Sequence, residues 1–240
     1  MSGSPAKTTS FRRQRSSRFN TVRIPYLAVV VVAISGLAFA DEVSDTQRID
    51  FPSGGTLRVR NSVGELTIEG WDQPGVEITT VKRSLNTAGQ LDRVRIAAAR
   101  KGDEIVVTTE LPKHRILVRP FRGTSDFYLE YRIKAPRNAR LTVDHDNGEV
   151  HISGVTGDIH TTDRMGQITL QLPAEGQYAI DAKSTLGTID SDFPGNESRK
   201  LKFGHSFVHE ASSSSQKLYL RIGFGDITIL KTPRPVTPAL

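Results

Sequence analysis

The chain has no cysteine. Thiol nucleophiles, thiolate metal sites, disulfides and a lipid-modified N-terminal cysteine are therefore excluded. Aromatic residues are only 7% of the sequence, with one tryptophan, so any core must be mainly aliphatic. Beyond the first forty residues no apolar stretch of helical period appears, which removes the bundle and alternating α/β classes. No phosphate-binding loop or dinucleotide fingerprint occurs. The body also lacks an excess of charge. Of 32 basic and 26 acidic residues, the surplus of +6 lies entirely in residues 1–40, leaving 26 of each in the remainder. The high pI is thus a property of the N-terminal segment, and a nucleic-acid partner is not expected.

That segment has its own pattern. Lys7, Arg12, Arg13, Arg15, Arg18 and Arg23 precede the apolar run IPYLAVVVVAISGLAFA, which ends Ala38-Phe39-Ala40 before Asp41. A basic stretch, a short apolar run and small-x-small before a charge predict a secretory signal peptide over 1–40. The alternative is an uncleaved N-terminal anchor, with membrane contact through 24–40. The twin-arginine reading of Arg12-Arg13 has little support, because the pair lies far from the apolar run. Export without disulfides predicts a bacterial envelope protein, in the periplasm or at the cell surface.

Residues 41–231 read as strands throughout. Alternating apolar and polar residues occur in TLRVRN (56–61), ELTIEGW (65–71), VEITTVKRS (76–84), DRVRIAAAR (92–100), EIVVTTEL (104–111), FYLEYRIKAP (127–136) and ARLTVDHD (139–146). Lys101-Gly102-Asp103 is the expected turn between two of them. Residues 112–126 break the pattern with two prolines and five basic or histidine side chains, suggesting halves at 41–111 and 127–231. Residues 232–240 are a proline-rich tail.

A Gly-x-apolar-x phrase recurs at Gly64, Gly148, Gly157, Gly166, Gly187 and Gly225. Glycine takes the corner and the apolar residues that follow at alternate positions point inward. One phrase is then one short strand plus one corner, and two phrases make a turn of a flattened β-roll. The predicted fold is all-β, a single elongated solenoid of short glycine-cornered strands. The alternative is an antiparallel two-sheet sandwich. In a roll, His151 and His160 point away from each other, and only a meander would make them neighbours; no metal or cofactor is expected. Trp71 is expected in the core.

The phrases GELTIEGW, YRIKAPRNARLTV, GEVHI, GDIHT and GQITL, following an export signal, resemble the bacterial "putative adhesin" families of β-strand-repeat envelope proteins. The resemblance covers roughly residues 47–231. It implies an all-β domain outside the cytoplasm, of undefined molecular role and with no catalytic residues to carry over.

Chemistry is sparse. GHSFV (204–208) lacks the second glycine of a nucleophile elbow around Ser206, and Asp144/Asp146 and Asp190/Asp192 sit two apart on strands without a defined partner. The expectation is a non-enzymatic envelope protein with a binding or scaffolding role. The alternatives are a polysaccharide-acting enzyme on a β-helix scaffold and a self-assembling structural protein, which would be a homo-oligomer. The candidate partner-binding loop carries Lys113, Arg115, Arg119, Phe121 and Arg122, whose guanidinium forks and aromatic ring suit an envelope glycan or protein. Its bland reading is a crossover with solvated charges. If the leader is a signal peptide, N-terminal sequencing of the chain recovered from native envelope will begin at Asp41. A sequence retaining 1–40 would establish the anchor instead.

Overall fold

The computed structural model describes residues 42–61, 63–84, 91, 94–110, 127–199, 204–210 and 215–232. The strands are Glu42–Ile49 (β1), Thr56–Asn61 (β2), Gly64–Trp71 (β3), Val76–Ser84 (β4), Arg95–Lys101 (β5), Glu104–Glu110 (β6) and Phe127–Pro136 (β7). Then follow Arg140–Ser153 (β8), Ile159–Pro173 (β9), Tyr178–Leu186 (β10), Ile189–Ser191 (β11), Asn196–Arg199 (β12), His205–His209 (β13) and Gln216–Thr232 (β14). Together they make one open, mixed sheet. Its path runs β1-β4-β7-β3-β8-β9-β14-β10-β13-β12, with β2, β6 and β5 branching from β8 and β11 added to β14.

The middle of the sheet is parallel. β8 pairs with β9 from Leu141↔Ile159 to Ser153↔Gln171, and β9 with β14 from Ile159↔Leu218 to Pro173↔Thr232. β2 lies beside the first part of β8 and β3 beside the second. Antiparallel pairs occur outside this block, as in β1 with β4, β4 with β7, β5 with β6 and β10 with β13. An antiparallel sandwich therefore does not describe the central strands. Nor are those strands short, since β8, β9 and β14 run for 14, 15 and 17 residues. Strands from both sides of residues 112–126 share the sheet.

The physical reason for the length is the burial pattern. Along β8 the inward residues are Leu141, Val143 and His145, then Val150 and Ile152, so the parity switches across Gly148. The same five-residue step recurs from Asn61 to Leu66, Asp163 to Ile168, Ser184 to Ile189 and Ile222 to Ile227. On either side of the switch, side chains of neighbouring strands align. Leu57, Leu141, Ile159, Leu218 and Ile180 form one buried rung, and Leu66, Val150, Ile168, Ile227 and Ile189 form another. Each such aliphatic side chain contributes roughly 1.5–3 kcal/mol by leaving water, an upper estimate because unfolded chains are partly compact.

Glycine stands at every switch. Gly64, Gly148, Gly166 and Gly225 are register partners on successive strands, and Gly187 continues the rung beside Gly225. All five have positive φ, for example 138° at Gly148 and 149° at Gly166. A Cβ on Gly166 would fall on the carbonyl oxygen of Gly148, and one on Gly148 would fall on that of Gly64. Both conformation and space thus forbid a side chain there. Gly157 is different. It lacks a positive φ and packs against the Ala139 carbonyl at the start of β9, away from this rung.

Gly166→Ala is expected to destabilise the chain by on the order of 3 kcal/mol or more, read as a fall in the urea midpoint. Gly102→Ala, in a turn with φ 65° and no neighbour within 4 Å, should cost only about 1 kcal/mol. Equal effects at the two sites would refute a packed glycine rung.

Candidate functional site

Just before each glycine the inward row changes character. Register places Asn61 beside His145 and His145 beside Asp163, followed by Ile222 and Ser184. All five are buried, with Asp163 only 1% exposed. His145 Nδ1 lies 2.8 Å from Asn61 Oδ1, and Asp163 Oδ1 accepts a hydrogen bond from the Met165 backbone N–H at 3.2 Å. Asn61 Nδ2, His145 Nε2 and Asp163 Oδ2 have no partner in full hydrogen-bond geometry. Each orphaned group costs roughly 1–3 kcal/mol. Ile222, in the same row, demonstrates that an apolar side chain fits the position. The polar row therefore works against stability.

Burial also sets the protonation states. Desolvation pushes His145 down to about 4, although the Gly64 and Asn147 backbone and the Asp146 charge act the other way. Desolvation likewise pushes Asp163 up to about 6, against hydrogen bonding from the Met165 and Arg164 backbone.

A trench of about 1000 Å³ runs across the same strands, bordered both by residues of the inward row (Asn61, His145, Asp163 and Ile222) and by outward-facing side chains. It crosses β6, β2, β8, β9, β14 and β10, a span of about 24 Å at about 4.8 Å per strand. Most of its charged side chains stand in ion pairs. Arg60 Nε stands 3.6 Å from Asp144, and Arg164 Nε 3.6 Å from Asp146. Arg221 is the most tightly held. Its Nη2 donates to Asp181 Oδ2 at 2.6 Å, and its Nη1 to the Asp181 and Leu220 carbonyls at 2.7 and 2.8 Å. The guanidinium also lies 3.5 Å from the Tyr219 ring centroid, and His160 stacks on Tyr219 at 4.4 Å. Thr162 and Thr185 add hydroxyls to the lining. The arrangement can bind a polar chain through fixed donors and acceptors; exposed ion pairs of this kind add little to stability.

No protein-family profile matches the chain, and no curated protein sequence matches it. Solved structures do match. A Clostridium sporogenes protein described as a "putative cell adhesion protein" aligns over 80% of this chain and 100% of its own, at 11% identity and a TM-score of 0.51. The two share a fold. A Bacteroides fragilis "putative adhesin" aligns over 78% of this chain and 97% of its own at 9% identity, with a TM-score of 0.29 that carries no argument. The neighbour that shares the fold is thus a bacterial protein described as a cell adhesion protein, in keeping with the resemblance carried by the strand phrases.

The sequence candidates fall as follows. Lys113, Arg115, Arg119, Phe121 and Arg122 lie outside the described residues, as does the leader. Ser206 is on β13, where its hydroxyl contacts the Ser198 carbonyl at 3.4 Å. Asp192 accepts from the Lys231 backbone N–H at 2.9 Å. His151 and His160 lie on different rungs, His151 between Thr67 and Thr169 and His160 between Thr142 and Tyr219. Among the described residues no cluster of three or more histidine, aspartate or glutamate side chains could hold a metal ion. Trp71 is only half-buried. Its ring takes Arg48 at 5.1 Å and Lys134 at 5.7 Å, and it borders a second cavity of about 410 Å³.

Asn61, His145 and Asp163 were missed by sequence reasoning, which weighed the acids flanking His145 instead. The signal was present, because each occupies the third inward slot of an alternating strand, after Leu57-x-Val59, Leu141-x-Val143 and Ile159-x-Thr161. Asp163 is held above its ordinary pKa, so its contribution is present below about 3.8 and lost as pH rises through about 6. His145 is held below its ordinary value, so its contribution is full above about 6.5 and lost as pH falls through about 4. Between these limits the two oppose. Asp163→Asn should expose the histidine alone, with stability rising by about 2 kcal/mol from pH 4 to 6.5, whereas His145→Gln should show stability falling from pH 4 to 6. Urea midpoints across that range decide the matter, and identical slopes in both variants would contradict it.

Proposed function

We propose that residues 41–231 are an exported, non-enzymatic, adhesin-like binding or scaffolding domain of the bacterial cell envelope. The observation that carries this reading is the fold shared with the Clostridium sporogenes protein over 80% of the chain. The absence of cysteine and the leader pattern agree with export to the periplasm or cell surface, with cleavage at Ala40 or retention of 24–40 as an anchor. Among the described residues no helix is long and apolar enough to cross a membrane.

In this reading the long strands are coils of a flattened roll. Straight, Leu141 to Ser153 would span about 40 Å, whereas the link from Ser153 to Ile159 reaches only about 20 Å. Yet Ile159 pairs beside Leu141. A parallel neighbour reached by so short a link is explained if each strand doubles back at its glycine, with one arm on either side of the core. Such a body offers long, regular outer faces for a partner and exposed edges at its ends. The loop bearing Lys113, Arg115, Arg119, Phe121 and Arg122 is proposed as one partner contact, to an envelope glycan or protein.

The test is a pull-down from native envelope extract with the chain lacking residues 1–40, beside an Arg115→Ala/Arg119→Ala/Arg122→Ala variant. A partner retained by the parent and released from the variant at matched salt supports a binding module using this loop. No retention, with the bait forming oligomers, would sink the binding reading in favour of a structural one.

A further inference from the structure

Six large apolar side chains are substantially exposed among the described residues, and three of them are consecutive on one rung. Met165, Phe224 and Leu186 are register partners on β9, β14 and β10, exposed by 42%, 52% and 36%. Each immediately precedes a corner glycine, and each immediately follows a residue of the trench, namely Arg164, Gly223 and Thr185. Phe224 stands between two glycines, Gly223 and Gly225, so no adjacent side chain on its own strand covers the ring. The trench thus has a floor of paired charges and hydroxyls, and a rim on β9, β14 and β10, where an exposed apolar group directly follows a lining residue, whereas the same register position on β8 is Asn147.

From this juxtaposition we infer that the trench and its rim form a binding site for a linear glycan running across the strands. The site rests on the reading of the domain as a binding module but not on the loop at 113–122. A pyranose ring has an apolar C–H face and a rim of hydroxyls that both donate and accept. The face stacks on an apolar or aromatic side chain, and the hydroxyls bridge a fixed carboxylate and guanidinium. Asp144 with Arg60, Asp146 with Arg164 and Asp181 with Arg221 are such pairs. The Arg60–Asp144 and Arg164–Asp146 pairs are internally neutralised, and Asp181 is shared between Arg221 and Lys183, so the floor offers hydroxyl-binding groups with little net charge over most of its length. The repeat also fits. Rim residues recur at the strand spacing of about 4.8 Å, comparable to the length of one pyranose unit, so Met165, Phe224 and Leu186 would meet successive rings. An anionic lipid surface is disfavoured by the acids Asp144 and Asp146 on the same face.

The experiment uses the chain without residues 1–40, titrated calorimetrically with β-linked glucose oligomers and, separately, β-linked uronate oligomers of increasing length. Affinity should rise with oligomer length and level off once the chain of sugars spans the trench. Phe224→Ala should weaken binding of the longest oligomer roughly tenfold. Val43→Ser, an exposed apolar residue on the edge strand β1, should leave it unchanged. Circular dichroism and the urea midpoint confirm that both variants fold. The inference is overturned if neither oligomer series binds, if affinity is independent of length, or if both variants bind as the parent does. It is overturned equally if Phe224→Ala abolishes binding to phosphatidylglycerol vesicles while the oligomers are ignored. Failure with the oligomers, together with a partner still retained from envelope extract, would remove the glycan site and leave the binding-module reading intact.

Discussion

The glycine rung is the constraint on which the rest of this structure depends. Gly64, Gly148, Gly166, Gly225 and Gly187 sit so close that a Cβ on Gly148, Gly166, Gly225 or Gly187 would strike the carbonyl of the adjacent glycine. Their positive φ values switch the inward parity of every central strand at the same height. Because the switch is in register, the aliphatic rungs on both sides stay aligned. A switch displaced by one residue in a single strand would turn its inward side chains outward. The core is therefore not merely a sum of buried Leu, Val and Ile. It is a set of rungs whose alignment the glycines enforce.

That same height is where the structure gives up stability. Asn61, His145 and Asp163 replace aliphatic residues in the last inward row, each with an orphaned polar atom. The same residues border the trench, and the exposed apolar residues follow it in sequence on β9, β14 and β10. Three unusual features thus share one band across the sheet: a backbone closed to side chains, an unsatisfied polar row and a solvent-facing set of hydrophobic groups. Stable cores avoid the second and soluble surfaces limit the third. Their coincidence is the observation behind the proposed contact.

Some elements were legible from the sequence to within a residue. TLRVRN, VEITTVKRS and FYLEYRIKAP are β2, β4 and β7 as read, since alternation over half-buried strands is a local signal. ARLTVDHD and GEVHI, read as separate strands, are one strand. Alternation breaks at Asn147-Gly148 both when a chain ends a strand and when it only switches parity. Pairing alone separates the two cases. The same limit hid His145, whose inward position is a matter of parity, while the flanking Asp144 and Asp146 drew attention as a pair.

The sequence by itself determined the all-β class, the aliphatic core and the corner role of glycine, because these depend on residue type and short-range period. Only the tertiary structure decided which strands lie side by side. Gly225 and Gly187 are 38 positions apart yet adjacent, and Met165, Phe224 and Leu186 form one rim from three separate strands. Parallel register is a long-range choice, made by whole rungs of side chains at once, and no local window of the chain contains it.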